Sequence, residues 1–292
     1  MASILIRALK PCAICGSTTA THVYQHSWFP IVRCSGCGLV YADEKVSEKD
    51  LQPLYSGDCY SELYFYTQEN IDVKIAADCL SEFRRVDKLV PGGGRLLDFG
   101  CARGSFIRVL MESELGSRWA CEGIDINPDE IAMGQSKGMP VRLENLFSNT
   151  IPPESYDVIT ACAVFDHMHD PGETLRVFRH ILKDKGKILL ITTNYDALIF
   201  TLGVLAAHLS ESLFRSFTER VFCKGHFYYF NRRTMNRILN DAGFRTLEID
   251  SVPSYIEAHP PGFLFALGVS GLHFCSWCLG RQTMLLALAE KV

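Results

Sequence analysis

The chain has little excess charge of either sign. Against 29 Lys and Arg stand 33 Asp and Glu, for a net charge of -4 and a pI near 6.1. That balance gives no whole-molecule attraction to a phosphate backbone, so no nucleic-acid partner is expected. A secretory leader is also missing: Met1 to Leu9 holds a brief apolar run beside Arg7 and Lys10, with neither a long apolar core nor a small-residue cleavage site. A cytoplasmic chain is the expectation. The Gly-x-Gly-x-x-Gly turn of a dinucleotide site does not occur after the strand where it would be needed.

What the chain does have in quantity is cysteine, 12 residues in 292. In a reducing compartment these argue for metal binding wherever they stand at ligand spacing. Cys12-x-x-Cys15 and Cys34-x-x-Cys37 are separated by 18 residues, which suits a four-thiolate zinc site. Gly16 and Gly38 follow the pairs and let each turn fold two thiolates onto one ion. Four protein ligands leave no open position, so this zinc is expected to be structural. His22 and His26, between the pairs, read as loop residues, with replacement of a thiolate as the other reading. Cys101, Cys121 and Cys162 read as small core residues, and the lone pair Cys275-x-x-Cys278 as packing.

The chemistry-bearing stretch is Leu96-Leu97-Asp98-Phe99-Gly100-Cys101-Ala102-Arg103-Gly104-Ser105-Phe106, an apolar strand that enters a glycine-bearing turn and then a helix. Gly123-Ile124-Asp125 follows where a second strand should end. In an open parallel sheet, ligands settle beyond the carboxyl ends of the strands, where glycine permits close approach and a carboxylate can take ribose hydroxyls. An acid ahead of the glycines disfavours a pyrophosphate and suits a cation such as a sulfonium.

The rest of the pattern supports that setting. Residues 43 to 52 are polar and read as a linker; Tyr55, Tyr60, Tyr64, Phe65 and Tyr66 then form an aromatic cluster, read as packing or as a cover over the site. Helical spacing runs over 74–89 and stops at Pro91-Gly92-Gly93-Gly94. Strands are expected near 95–100, 119–125, 140–144, 156–164 and 186–193, with helices near 104–114, 128–137 and 171–182. Such alternation implies a mainly parallel sheet covered on both faces. Asn231-Arg232-Arg233-Thr234-Met235 leads into a later helix ending at Ala242-Gly243-Phe244, and strand candidates at 244–251 and 283–290 suit an antiparallel edge.

Taken in order, Leu97 to Gly104, Gly123-Ile124-Asp125-Ile126-Asn127-Pro128, Tyr156-Asp157-Val158-Ile159, Asp166-His167, Leu182 to Lys187 and Asp241-Ala242-Gly243-Phe244 resemble the class I S-adenosylmethionine-dependent methyltransferases. With the cysteine pairs, the chain is similar to the subgroup that carries a zinc ribbon ahead of that domain. The resemblance implies an α/β fold, a Rossmann-like seven-stranded methyltransferase sheet with its last strand antiparallel and a small N-terminal zinc ribbon. Its divisions would be a ribbon over 1–42, a linker and aromatic cover over 43–73, and a methyltransferase domain over 74–292 with apolar insertions near 196–222 and 254–280.

By position, the resemblance puts Asp98, Gly100, Ala102 and Gly104 around the methionine half of S-adenosylmethionine. It puts Asp125 on the ribose, Ile126 on the adenine, and Glu144, Asn145 and Leu146 at the adenine edge. Ala102 replaces a glycine common in the family, at little expected cost. Methyl transfer from a sulfonium needs alignment, exclusion of water and, for some acceptors, a base. His167 is the first candidate base, since it follows the fourth strand and an imidazole titrates near neutrality. His226, in Lys224-Gly225-His226-Phe227 near the start of the later helix, is the second. Asp166-His167 also resembles the Glu-His pair of ubiquinone-pathway O-methyltransferases, but Ala163 stands where those carry a further acid, which speaks against a catalytic metal.

Two apolar stretches bear on the acceptor. Ala197 to Leu209 is one; Pro260 to Gly280, whose only titratable side chains besides cysteine belong to His273, is the other. They suit a lid, an apolar acceptor pocket, a homodimer face or a peripheral membrane contact. The expected activity is methyl transfer to a small hydrophobic molecule, at oxygen. The alternatives are C-methylation of a nucleotide-linked sugar, RNA methylation, which the lack of an Asn-Pro-Pro-Tyr-like motif after the fourth strand disfavours, and a non-catalytic zinc-ribbon binding protein.

Overall fold

The structure, a computed structural model, describes residues 5–8, 10–44, 68–223, 225–253, 271–272 and 274–292. The aromatic cluster from Tyr55 to Tyr66 and residues 254–270 of the second apolar insertion lie outside the described residues. The amino-terminal strands β1 (Leu5–Arg7), β2 (Thr19–Gln25), β3 (Pro30–Cys34) and β4 (Val40–Ala42) pair antiparallel in sequence order. Each Cys-x-x-Cys turn closes through a glycine with positive φ: Gly16 N–H donates to Cys12 O, and Gly38 N–H to Cys34 O. His22, expected in a loop, lies within β2, where a register shift before Tyr24 leaves it facing solvent while Ala20 and Tyr24 are buried. His26 lies in the loop between β2 and β3, as expected. It is buried just past β2, stacks on Phe29 with ring centroids 4.8 Å apart, and accepts a hydrogen bond from Trp28 N–H.

Helix α1 (Gln68–Leu89) begins six residues before the apolar spacing that foretold it, and buries Ala76, Cys79, Phe83 and Val86 on one face. The chain then alternates as expected: β5 (Gly94–Phe99), α2 (Ser105–Glu112), β6 (Trp119–Asp125), α3 (Pro128–Ser136), β7 (Val141–Leu143), β8 (Tyr156–Cys162), α4 (Pro171–Ile181) and β9 (Leu182–Thr193). Asn127 and Asp170 cap α3 and α4, each followed by a proline in the first turn. Strand β9 starts four residues earlier than expected, because Leu182 pairs with Tyr156 ahead of an irregularity at Lys183 to Gly186.

Between β9 and the sheet's last strands come α5 (Leu198–Leu209), α6 (Glu211–Val221), β10 (Tyr228–Tyr229) and α7 (Arg232–Asp241). Strands β11 (Phe244–Val252) and β12 (Met284–Lys291) complete a seven-stranded sheet of order β11-β12-β9-β8-β5-β6-β7. β12 alone runs opposite to the other six strands. The first apolar insertion is thus a helical hairpin, in which Gly203 lets Val221 approach and its carbonyl accepts from the Thr218 hydroxyl. No helix among the described residues is long and apolar enough to cross a membrane.

The ribbon is not set apart from this sheet. Strand β10, nearly 200 residues downstream, pairs with β4 and becomes the ribbon's fifth strand, while Asn194 just past β9 bridges to Phe230. Phe222, at the end of α6, packs its ring on Tyr24 of the ribbon and on Phe200 and Tyr229, at centroid distances of 5.2 to 5.8 Å. One apolar core therefore serves both parts. Phe222→Ala should cost about 3–5 kcal/mol of unfolding free energy by removing a ring from this junction. Denaturant titration would measure it, and a loss below about 1 kcal/mol would contradict the shared core.

Candidate active site

The glycine turn after β5 is held against β6 by its backbone. Gly100 N–H and Cys101 N–H both donate to Ile124 O, at 2.9 and 3.2 Å. Gly100 has a φ of 70°, and a Cβ there would lie 2.5 Å from the Val164 side chain. Asp125 then clamps two turns with one carboxylate: Oδ2 accepts from Ala102 N–H and Oδ1 from Asn127 N–H, each at 2.8 Å. Each oxygen keeps a lone pair for a further donor such as a ribose hydroxyl. Ala102 carries a φ of 45°, so the alanine sits in the left-handed region and its presence is costlier than its size suggests. Arg103 adds a bidentate ion pair to the buried Glu130, which ties the turn to α3.

Asp98 is buried at the end of β5 and accepts from the Thr160 hydroxyl at 2.7 Å. Burial pushes its carboxyl up to about 7; the Thr160 hydrogen bond works against that rise and the nearby Asp125 adds to it. Two acids flanking a glycine turn make a crevice in which a cation relieves the repulsion. Ile126 and Leu143 are 44% and 56% exposed beside it, an apolar surface that a purine could cover. Asn145 caps the short turn Leu146–Ser148 by accepting from Phe147 N–H, and Leu146 is buried. The turn, the paired acids and the exposed apolar rim fit a cationic nucleoside such as S-adenosylmethionine.

A second group of residues stands at the ends of β8 and β9. His167 closes the turn Phe165–His167, and His226 precedes β10 rather than opening a helix, with ring centroids 4.5 Å apart and nearly perpendicular. Asp166 lies between them: His167 Nε2 is 3.9 Å from Oδ1 and His226 Nδ1 is 3.6 Å from Oδ2. Oδ2 also accepts from the hydroxyl and N–H of Thr193, whose Oγ1 is 3.3 Å from His226 Nδ1. Thr193 was not a sequence candidate; only its place at the end of a strand beside Asp166 reveals it. The ligand-type atoms of Asp166, His167 and His226 lie within 4.8 Å of one another, and Oδ2 and Nδ1 both contact Thr193.

Burial pushes His167 down to about 4, aided by His226 and opposed by Asp166. For His226 burial acts the same way, yet the Cys223 thiol and Asp166 outweigh it and hold the ring up at about 9. Asp166 stays below the usual carboxylate range although burial favours its neutral form, because His226, His167 and the Thr193 hydrogen bond favour the anion.

In the ribbon, Cys12 Sγ and Cys37 Sγ are 3.5 Å apart and Cys15 Sγ and Cys34 Sγ 3.4 Å, with all four sulfurs within 4.8 Å. A tetrahedral zinc with Zn–S bonds of about 2.3 Å sets its sulfurs about 3.8 Å apart, so the donor set fits that ion. Cys101 is buried and Cys121 and Cys162 partly so, as small core residues are, whereas Cys275 and Cys278 are exposed and do not pack as expected. Metal analysis should find one zinc per chain, and Cys34→Ser should lose it and lower the melting temperature; full stability without metal would contradict the site.

Known proteins match at two levels. A SAM-dependent methyltransferase from Archaeoglobus fulgidus shares the fold, with a TM-score of 0.51 and 18% identity over 80% of this chain and 98% of that one. The chain thus has the architecture of an S-adenosylmethionine-dependent methyltransferase. Residues 73–249 match the family described as "Methyltransferase domain", and the chain belongs to that family. Among curated relatives, the ubiquinone biosynthesis O-methyltransferase of Pseudomonas entomophila is 25% identical over 122 residues, 39% of this chain and 51% of the relative. The protein of that name from Xanthomonas axonopodis pv. citri is 28% identical over 127 residues, 41% and 52% respectively. The chain spans about half the length of the curated relatives it matches.

Because Ala102 holds a left-handed backbone, Ala102→Gly should keep or raise stability, by up to about 1 kcal/mol. Ala102→Val should lower it. Thermal unfolding distinguishes the two, and a glycine variant less stable than the native chain would refute the strain argument.

Proposed function

We propose that the protein transfers a methyl group from S-adenosylmethionine to an oxygen of a small hydrophobic acceptor. The observation that carries this reading is one contact: Gly100 of the cofactor turn abuts Val164, and Val164 opens the turn that ends in His167, its carbonyl accepting from His167 N–H. A cradle for the donor and a base for the acceptor are thereby neighbours. When bound, S-adenosylmethionine supplies a methyl already activated by the sulfonium charge.

The chain's own residues do the rest. Asp125 takes the ribose hydroxyls and keeps the turn closed through Ala102; Gly100 and Gly104 let the backbone approach; Asp98 draws the positive end of the donor. Ile126 covers the adenine, and Asn145 holds the turn at its edge. His167, kept neutral by its surroundings, takes the acceptor's proton as the oxygen attacks, and His226 steadies the oxygen's developing charge. The four cysteines hold a structural zinc, which orders the ribbon and leaves no open position for chemistry. Leu202, Leu205, Leu209, Leu213 and Phe217 leave an exposed apolar face on α5 and α6, which supports a hydrophobic acceptor. The O-methyltransferase names of the curated relatives support oxygen as the target.

Calorimetry with S-adenosylmethionine tests the donor half: binding to the zinc-loaded chain, lost in Asp125→Ala, is expected, and no binding to the folded protein would sink the reading. A product-mass screen for acceptors that gain one methyl tests the other half. With such an acceptor, His167→Ala should retain S-adenosylmethionine binding and lose turnover by about 10²–10⁴-fold.

A further inference from the structure

We propose that Asp166 and Thr193 are positioning residues that make the two histidines unequal: they fix His226 as the proton-bearing ring and present Nε2 of His167 as the base. The proposal rests on the methyl-transfer reading for its purpose, and on hydrogen-bond accounting for its content.

Thr193 has one hydroxyl proton, and it goes to Asp166 Oδ2. Its oxygen can then only accept from His226 Nδ1, 3.3 Å away, so that nitrogen must carry hydrogen. Asp166 Oδ2, 3.6 Å from the same nitrogen, supplies the negative charge that favours a full imidazolium, and Cys223 favours the charged ring as well. The groups that face His226 are thus Asp166 and His167 from the turn after β8, Thr193 of β9, Cys223 past the end of α6 and Tyr229 of β10.

His167 is set the other way. Its Nδ1 faces Gly225, whose carbonyl takes the ring's hydrogen bond, which orients Nε2 towards Asp166 Oδ1 at 3.9 Å. Oδ1 is buried and has no hydrogen-bond partner. A buried carboxylate oxygen left unpaired is costly. When Nε2 takes the acceptor's proton, the ring's new positive charge stands 3.9 Å from Oδ1, beyond hydrogen-bond reach but close enough for the carboxylate to stabilise it as a charge. The perpendicular His226 ring, already charged, then drives His167 to release that proton to solvent water as the methylated product leaves, since two imidazolium ions at this separation repel. The carboxylate so divides its oxygens: Oδ2 for the standing charge, Oδ1 for the transient one.

Nitrogen-15 NMR of histidine-labelled, zinc-loaded chain tests this with no acceptor. At neutral pH His226 should read as an imidazolium and His167 as a neutral ring with hydrogen on Nδ1. In Asp166→Asn the His226 midpoint should fall by about 2 pH units, and Thr193→Val should move it the same way, while Thr193→Ser leaves the ring charged at neutrality. Two rings titrating together near pH 6.5, the ordinary value, or an unmoved His226 in both Asp166→Asn and Thr193→Val, would overturn the proposal. Should Asp166→Asn not fold, Thr193→Val decides alone. S-adenosylmethionine calorimetry on the same samples separates the two claims: binding with equal rings removes only this one, and unequal rings without binding remove only the methyl-transfer reading.

Discussion

The candidate site depends on a two-residue strand. Tyr228 and Tyr229 belong by covalent chain to the methyltransferase domain and by hydrogen bonding to the ribbon, where they pair with Tyr41 and Val40. The flanking backbone continues the tie in both directions: Ala42 N–H donates to Phe227 O, and Phe227 N–H donates to Asp166 O, at 2.9 and 2.8 Å. His226 is the next residue back, so its place beside Asp166 is settled by the ribbon. Energetically the aromatics dominate. Phe227, Tyr228, Tyr229 and Phe230 are all buried, each side chain worth roughly 1.5–3 kcal/mol, against about 1 kcal/mol net for a backbone hydrogen bond. Burial supplies the stability, and the hydrogen bonds choose the register.

The donor side of the crevice is ruled by charge. Asp98 and Asp125 close a small space with two acids, and burial raises both. Because the folded-state carboxyl of Asp98 lies near 7, above its unfolded value of 3.8, its contribution to stability is fully present below the unfolded value and is lost as pH rises towards 7. A bound cation reverses the sign locally, since it favours the ionised form. The same buried acids that tax the ligand-free fold therefore select a positive ligand, and Gly100 is needed in the turn between them because a Cβ there would strike Val164.

Much of this architecture was legible because it is local. Strand-turn-helix order, the caps at Asn127 and Asp170 and the two Cys-x-x-Cys turns are short-range patterns, and β5 to β9 lie where hydrophobic periodicity put them to within a few residues. What periodicity could not show is long-range pairing. Nothing in Tyr228-Tyr229 announces that its partner lies in β4, and a ribbon read as a module of its own gave no reason to place His226 beside His167. Nor could spacing show the φ of Ala102, which follows from the hydrogen bond its N–H makes to an acid 23 residues away. His22 failed for a smaller reason: a register shift turns it outward inside a strand that its polar surroundings had hidden.

A ribbon whose four cysteines fit a zinc ion completes its sheet with a strand from beyond β9, and that strand locates the His226 ring. An ordinary zinc module could be exchanged or lost without touching chemistry. Here a metal held by the four cysteines would be tied through β3 and β4 to β10, and the last links are backbone bonds to Phe227 and, through it, Asp166. Loss of such an ion would loosen the register that sets His226, and His226 in turn adds to the burial that holds the His167 ring down. Among the described residues the ribbon supplies no group to the site and acts on it through the geometry of one short strand.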